Sequence, residues 1–193
     1  MYSLLLDSSN IKLGIGLAKD GKLIDQICYD AWQRQSEYMI QEIENILKRN
    51  NISTDDINEI ISTVGPGSYT GVRISLTIAK VWCEAKNIPL YLVSSLEILK
   101  DNNSLSLCVI NARSKRSHCA IYDGNKTILE DQILSNDEVN NLLESKKAKI
   151  CGETEYLGYE GYQSNIFENM LLIRNKTQKV EDILSVKPIY LKD

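Results

Sequence analysis

Two periods of apolar and polar positions alternate along this chain, and the alternation is repeated. Residues 3–26, SLLLDSSNIKLGIGLAKDGKLIDQ, open with an apolar run that ends on a short polar residue, Asp7. A polar turn follows, then a second strand (KLGIGLAK), an Asp20-Gly21 hairpin signal and a third strand. Residues 106–132, SLCVINARSKRSHCAIYDGNKTILEDQ, make the same moves, with Asn111 in the place of Asp7 and Asp123-Gly124 at the hairpin. Each unit then changes to a helical period. WQRQSEYMIQEIENILKRN sets Met39, Ile40, Ile43, Ile46 and Leu47 on one face. NDEVNNLLESKK predicts a second helix, with Asn136 or Asp137 near its cap. A strand over 59–64 follows the first helix, and AKICGETEYL reads as a strand, a glycine and a further helix after the second.

Both halves therefore predict β-β-β-α-β-α, an internal duplication. Two such lobes describe an α/β, two-lobed actin-like (ASKHA, ribonuclease-H-like) fold. The expected first lobe, carrying the interface helices, is 1–102 and the second is 103–193, with the boundary in the polar segment KDNNS at 100–104. GYQSNIFENMLLIRNKTQKV has no clear period. Pro188, in VKPIYLKD, predicts an extended tail docked on the body, with the first lobe as a candidate surface.

The segment STVGPGSYTGVRIS, 62–75, joins strand 59–64 to a helix over 70–86. No lysine follows Gly71, so a Walker loop is excluded, and Gly65, Gly67 and Gly71 are spaced one residue too wide for the dinucleotide fingerprint. Two readings remain. The glycines and Pro66 make a tight strand-to-helix connection capped by Ser68 or Thr70, or the helix N-terminus attracts an anion. The helix itself has two apolar faces. Val72, Leu76, Ala79 and Cys83 form one; Ile74, Ile78, Val81, Trp82 and Ala85 form the other; Arg73, Thr77, Lys80 and Glu84 lie between. Such a helix is sandwiched, inside the chain or by a partner, and in so small a lobe the second face is assigned to a partner.

Composition narrows the chemistry. A net charge of −4 argues against a chain that binds nucleic acid by itself. No apolar run is long enough to span a membrane, and the start reads as a buried strand rather than a signal peptide. The five cysteines are scattered, with no CxxC, and predict reduced, buried thiols in the cytoplasm. The one histidine, His118, excludes paired-histidine metal sites and is expected half-exposed on a strand. Arg113, Lys115 and Arg116 form a small basic turn, expected as a solvated hairpin tip.

The segment VGPGSYTGVRISLTIAKVWCEAKNIPLYLVSSLEIL, 64–99, resembles the TsaB (YeaZ) family. The opening LLLDSSNIKLGIGL, the hairpin VINARSKRSHCAIYDG and the tail PIYLKD extend that resemblance over the whole chain. What the resemblance implies is a non-catalytic paralogue of TsaD. Such a subunit supports a TsaD-like catalytic partner, together with a TsaE-like ATPase, in threonylcarbamoyl transfer to N6 of adenosine 37 of tRNA. It implies a homodimer when alone and contact with tRNA only through the complex. No catalytic residue, metal or cofactor is expected in the isolated chain, while the complex interface leaves room for ATP-Mg. Actin-like ATPases organise Mg²⁺ with acids from both lobes; here Asp7 is kept, but Asn111 replaces the family's usual aspartate and cannot act as a base. Asp7, Ser8, Ser9, Gly65, Gly67 and Asn111 are thus only weak candidates for nucleotide contact. The competing readings are a stand-alone actin-like ATPase or small-molecule kinase, and a peptidase for which no triad is visible.

Overall fold

The computed structural model describes residues 1–191, so the tail's Lys192 and Asp193 lie outside the described residues. The first unit contributes β1 (Tyr2–Asp7), β2 (Lys12–Lys19), β3 (Lys22–Asp30), α1 (Gln35–Arg49), β4 (Ile57–Thr63), α2 (Tyr69–Lys86) and β5 (Leu90–Val93). The second contributes β6 (Leu105–Arg113), β7 (Arg116–Asp123), β8 (Lys126–Ser135), α3 (Asn136–Lys146), β9 (Lys149–Gly152) and α4 (Ile166–Arg174). The sheets are ordered β3-β2-β1-β4-β5 and β8-β7-β6-β9. In each, the opening hairpin is antiparallel and the strand after the helix pairs in parallel with the first.

The apolar run of β1 follows from its central place. Leu4 and Leu6 face a core built with α1 and α2, while Leu5 faces a second core between the sheets. A strand covered on both faces reads as continuously apolar. On β6, Cys108 and Ile110 face the core between the sheets, and Leu107 and Val109 face a third core under α3.

Several local expectations are corrected. The Asp20-Gly21 turn has both residues at positive φ, but the second hairpin turns at Gly124-Asn125, one residue later in the motif. The cap of α3 is Ser135, in a capping box with Glu138, rather than Asn136 or Asp137. The helix expected after β9 is only a 3-10 turn at Glu155–Leu157. A true helix, α4, lies in the segment with no clear period. Its Phe167, Met170, Leu171 and Ile173 are buried in the core between the sheets, while apolar Leu172 is 49 % exposed on the outer side, which blurs the period. Its Phe167 ring lies on Gly14 and Gly16 of β2; a Cβ on Gly16 would come within 2.7 Å of that ring.

Two polar features hold α4 in place. Buried Asn169 donates to the carbonyls of Ile98 (2.8 Å) and Lys100 (2.9 Å) and accepts from Asn102. Arg174 pairs with buried Glu59 of β4, which also accepts from Ser3 at 2.7 Å. The 100–104 segment is buried at its start and exposed at Asn102 and Asn103. Lys100 is 2 % exposed and pairs with Glu97; Asp101 is 5 % exposed and pairs with Lys149.

The chain after α4 returns to the first lobe. Val180 N donates to Leu90 O at 2.9 Å, and Ile189 N donates to Val64 O at 2.8 Å. Lys80 of α2 donates to the carbonyls of Leu184 (2.8 Å) and Val186 (2.7 Å). Arg73 donates to the Tyr190 hydroxyl at 2.7 Å and lies over the ring of Tyr69, itself stacked on Tyr190. The polar strip of α2 is thus a binding track for the tail.

Candidate interlobe site and first-lobe interface

The turns after β1 and β6 face each other across a cleft. Asp7, at the end of β1, is 1 % exposed. Its Oδ1 accepts from Ser9 N (3.1 Å) and Thr63 Oγ1 (2.8 Å), while Oδ2 has no hydrogen-bond partner among the described residues. Burial pushes this carboxyl above the usual carboxylate range, and the hydrogen bonds from Ser9 and Thr63 oppose the shift. Asn111 is turned inward on its own hairpin, where its Oδ1 accepts from Arg113 N at 2.9 Å. The two candidate positions are therefore not joined through a shared free acid.

The glycine loop closes against the 7–9 turn. Ser68 N donates to Ser9 O at 2.7 Å and Ser8 Oγ donates to Gly71 O at 2.7 Å. A Cβ on Gly67 would stand 2.2 Å from Ser9 O, and one on Gly71 would stand 2.0 Å from Ser8 O. Gly65 is at φ +107 and backs onto Ile189 O of the tail. All three glycines thus face carbonyl oxygens, which are acceptors. Their lack of a side chain lets one backbone approach another. Pro66 is buried in the same turn, joined to Gly65 by a cis peptide. Ser68 is the cap of α2, accepting from Gly71 N at 3.2 Å; Thr70 is exposed and caps nothing.

Sequence reasoning missed Glu153 and drew no function from Gln35. Glu153 follows β9 and accepts from Ile11 N (3.1 Å) in the first lobe and Asn111 N (2.9 Å) in the second. Gln35, 5 % exposed, donates to Asn10 O at 3.1 Å and ties α1 to the same turn. Both are single polar residues without motif or period, so no local signal marked them. Across the cleft, Arg113 lies over the Trp32 ring, 4.6 Å from its centroid. The basic turn is therefore partly a lobe-to-lobe contact. His118 lines the same cleft, half-buried, and burial, with the nearby Arg116 charge, lowers its pKa. Among the described residues no group of three or more His, Cys, Asp or Glu side chains could hold a metal.

The second face of α2 is divided. Ile74, Ile78 and Trp82 are half-buried against the core shared with α1, whereas Ala85 is exposed and Val81 is 64 % exposed. Ile40 of α1, at 59 %, and Leu184 of the tail, at 64 %, are also exposed. Four cysteines are buried; Cys28 is the exception, exposed on the edge strand β3. Among the described residues no helix is long and apolar enough to cross a membrane.

Residues 29–185 match the profile of the family described as TsaD, tRNA N6-adenosine threonylcarbamoyltransferase. The chain is 31% identical over 191 residues to the Bacillus subtilis tRNA threonylcarbamoyladenosine biosynthesis protein TsaB, covering 97% of this chain and 78% of that protein. It is 28% identical over 199 residues to the protein MG208 of Mycoplasma genitalium, covering 100% of this chain and 95% of the relative. The solved structure of YeaZ from Pseudomonas aeruginosa has the same fold, with a TM-score of 0.79, 18% identity and coverage of 98% and 99% of the two chains. The chain belongs to the TsaB (YeaZ) family and has its two-lobed actin-like fold.

Proposed function

We propose that this chain is a non-catalytic scaffold subunit in the formation of threonylcarbamoyladenosine at position 37 of tRNA. It supports a TsaD-like subunit that performs the transfer, alongside a TsaE-like ATPase, and meets tRNA only through that assembly. The observation that carries the reading is the likeness, over nearly its whole length, to a protein named for threonylcarbamoyladenosine biosynthesis. The site geometry supports the absence of chemistry. The first-lobe acid Asp7 is buried, the second-lobe position is an inward-turned Asn111 in place of an acid, and Glu153 is already held by two amides. No cofactor of its own is part of this reading; ATP-Mg belongs at the interface of the complex. The site of action is the cytoplasm.

The contact surface is the outer side of the first-lobe helices, with Ile40 and Val81 as apolar anchors. The same surface pairs two copies when the partner is missing. Val81→Glu tests this better than Ile78→Glu, because Val81 is exposed while Ile78 also packs on the core. Expected outcomes are an unchanged thermal melt, loss of the homodimer on sizing, and loss of co-purification with a TsaD-like protein. A folded Val81→Glu variant that still pairs with itself and with the partner removes this surface from the proposal.

A further inference from the structure

β9 ends at Gly152, where φ is +100 and a Cβ would stand 2.4 Å from Val109 O. Only a residue without a side chain fits this sharp turn against β6. The turn delivers Glu153 into the cleft, and its own N–H is fixed by donation to Val109 O at 3.0 Å. Its carboxylate then takes one backbone N–H from each lobe, Ile11 N on Oε1 and Asn111 N on Oε2. Glu153 also lines both interlobe cavities, of about 470 and 300 Å³, and so stands between them. Lys12 lines the larger cavity, together with the carboxylates Asp7, Asp30 and Glu155, and Arg113 lines the smaller. Backbone amides converging on one point, with cations nearby, are the usual means of holding an oxyanion. Here the anion is supplied by the chain.

We propose that Glu153 is an intramolecular latch occupying an oxyanion site built jointly by the two lobes. While it is in place the lobes are tied together and the position is closed to external anions. With its carboxylate removed, the cavities merge and the two amides bind a phosphate-sized oxyanion. This does not depend on the scaffold reading, since it concerns the isolated chain and no partner.

The test follows the backbone amides of Ile11 and Asn111 by NMR in the wild-type chain, Glu153→Gln and Glu153→Ala, with inorganic pyrophosphate as probe. In the wild type both amides are expected to be protected from hydrogen exchange and unmoved by millimolar pyrophosphate. In Glu153→Ala both exchange about tenfold faster or more, the loss of a hydrogen bond to a charged group, while the sheet amides of Leu5 and Cys108 keep their protection. Pyrophosphate then shifts both resonances saturably and restores protection. Glu153→Gln keeps the shape but offers one acceptor oxygen, so at least one of the two amides loses protection even if the alanine variant fails to fold. The proposal is overturned if both amides stay protected in the folded variants. It is equally overturned if the wild type responds to pyrophosphate as strongly as Glu153→Ala, or if a folded Glu153→Ala does not respond.

Discussion

At the scale of single residues, the glycines show how context reverses a rule. Gly71 lies in the first turn of α2, and replacing a helical glycine by alanine ordinarily stabilises by up to ~1 kcal/mol. Here a Cβ would fall 2.0 Å from the carbonyl oxygen of Ser8, a backbone atom that cannot swing aside. Gly71→Ala is therefore expected to destabilise by about 1–3 kcal/mol, the usual cost of overpacking, and to lower the midpoint of a denaturant melt. An unchanged or raised midpoint would contradict the clamp between the glycine loop and the 7–9 turn. Asp7 illustrates a different residue-scale fact. A Leu-Leu-Leu-Asp run shows that a carboxyl ends a buried strand, but its buried, unpartnered Oδ2 depends on Thr63 and Ser9 being where they are.

Elements are held by contacts that their own sequences do not announce. The periodic helices α1 and α2 are visible because each turns an apolar stripe toward the core. α4 shows no such stripe because apolar Leu172 lies on its exposed face and polar Asn169 on its buried one, where Asn169 anchors it to the Ile98 and Lys100 carbonyls. Asn169→Leu keeps the branching and the number of side-chain heavy atoms, but it leaves the Lys100 carbonyl without its side-chain donor, and the Ile98 carbonyl with only Ser164 Oγ. Each buried acceptor left unpaired costs about 1–3 kcal/mol, so the variant should melt well below the wild type in urea despite its greater hydrophobicity. Equal stability would mean that shape alone holds α4. The polar strip of α2 gives the converse case. Arg73 and Lys80 read only as a polar strip between two apolar faces, and their side chains hold Tyr190 and the carbonyls of Leu184 and Val186.

For the whole molecule, the joint between the lobes is electrostatic as well as apolar. Asp101 accepts from Lys149 and Ser104 side chains and from Asn103 N, and the Lys149 ammonium first, then the Asn103 amide, lower its pKa to about 2. A depressed folded-state pKa adds stability above the unfolded value of about 4, and that stability is lost as the pH falls from about 4 to about 2. Asp101→Asn should accordingly lower the melting temperature at pH 7, and the two proteins should converge toward pH 2. A difference that stays constant from pH 7 to pH 2 would show that the ion pair adds nothing to the joint. Lys149 is substantially exposed, so high salt should shrink the difference at pH 7.

The amino-acid sequence by itself determined the repeated β-β-β-α-β order, the family, and the two-faced helix behind the glycine loop. Strand and helix periods and turn dipeptides are local, written within a few residues of where they act. The tertiary structure alone decided that Lys100 and Asp101 of KDNNS are buried, that α4 lies between the sheets, that the tail binds the polar strip of α2, and that Glu153 spans the cleft. Each of these rests on partners far apart in the chain: Asp101 with Lys149, Asn169 with Ile98, Lys80 with Leu184, Glu153 with Ile11. A single polar side chain carries no period, so its role is set only when the fold brings its distant partner within hydrogen-bonding reach.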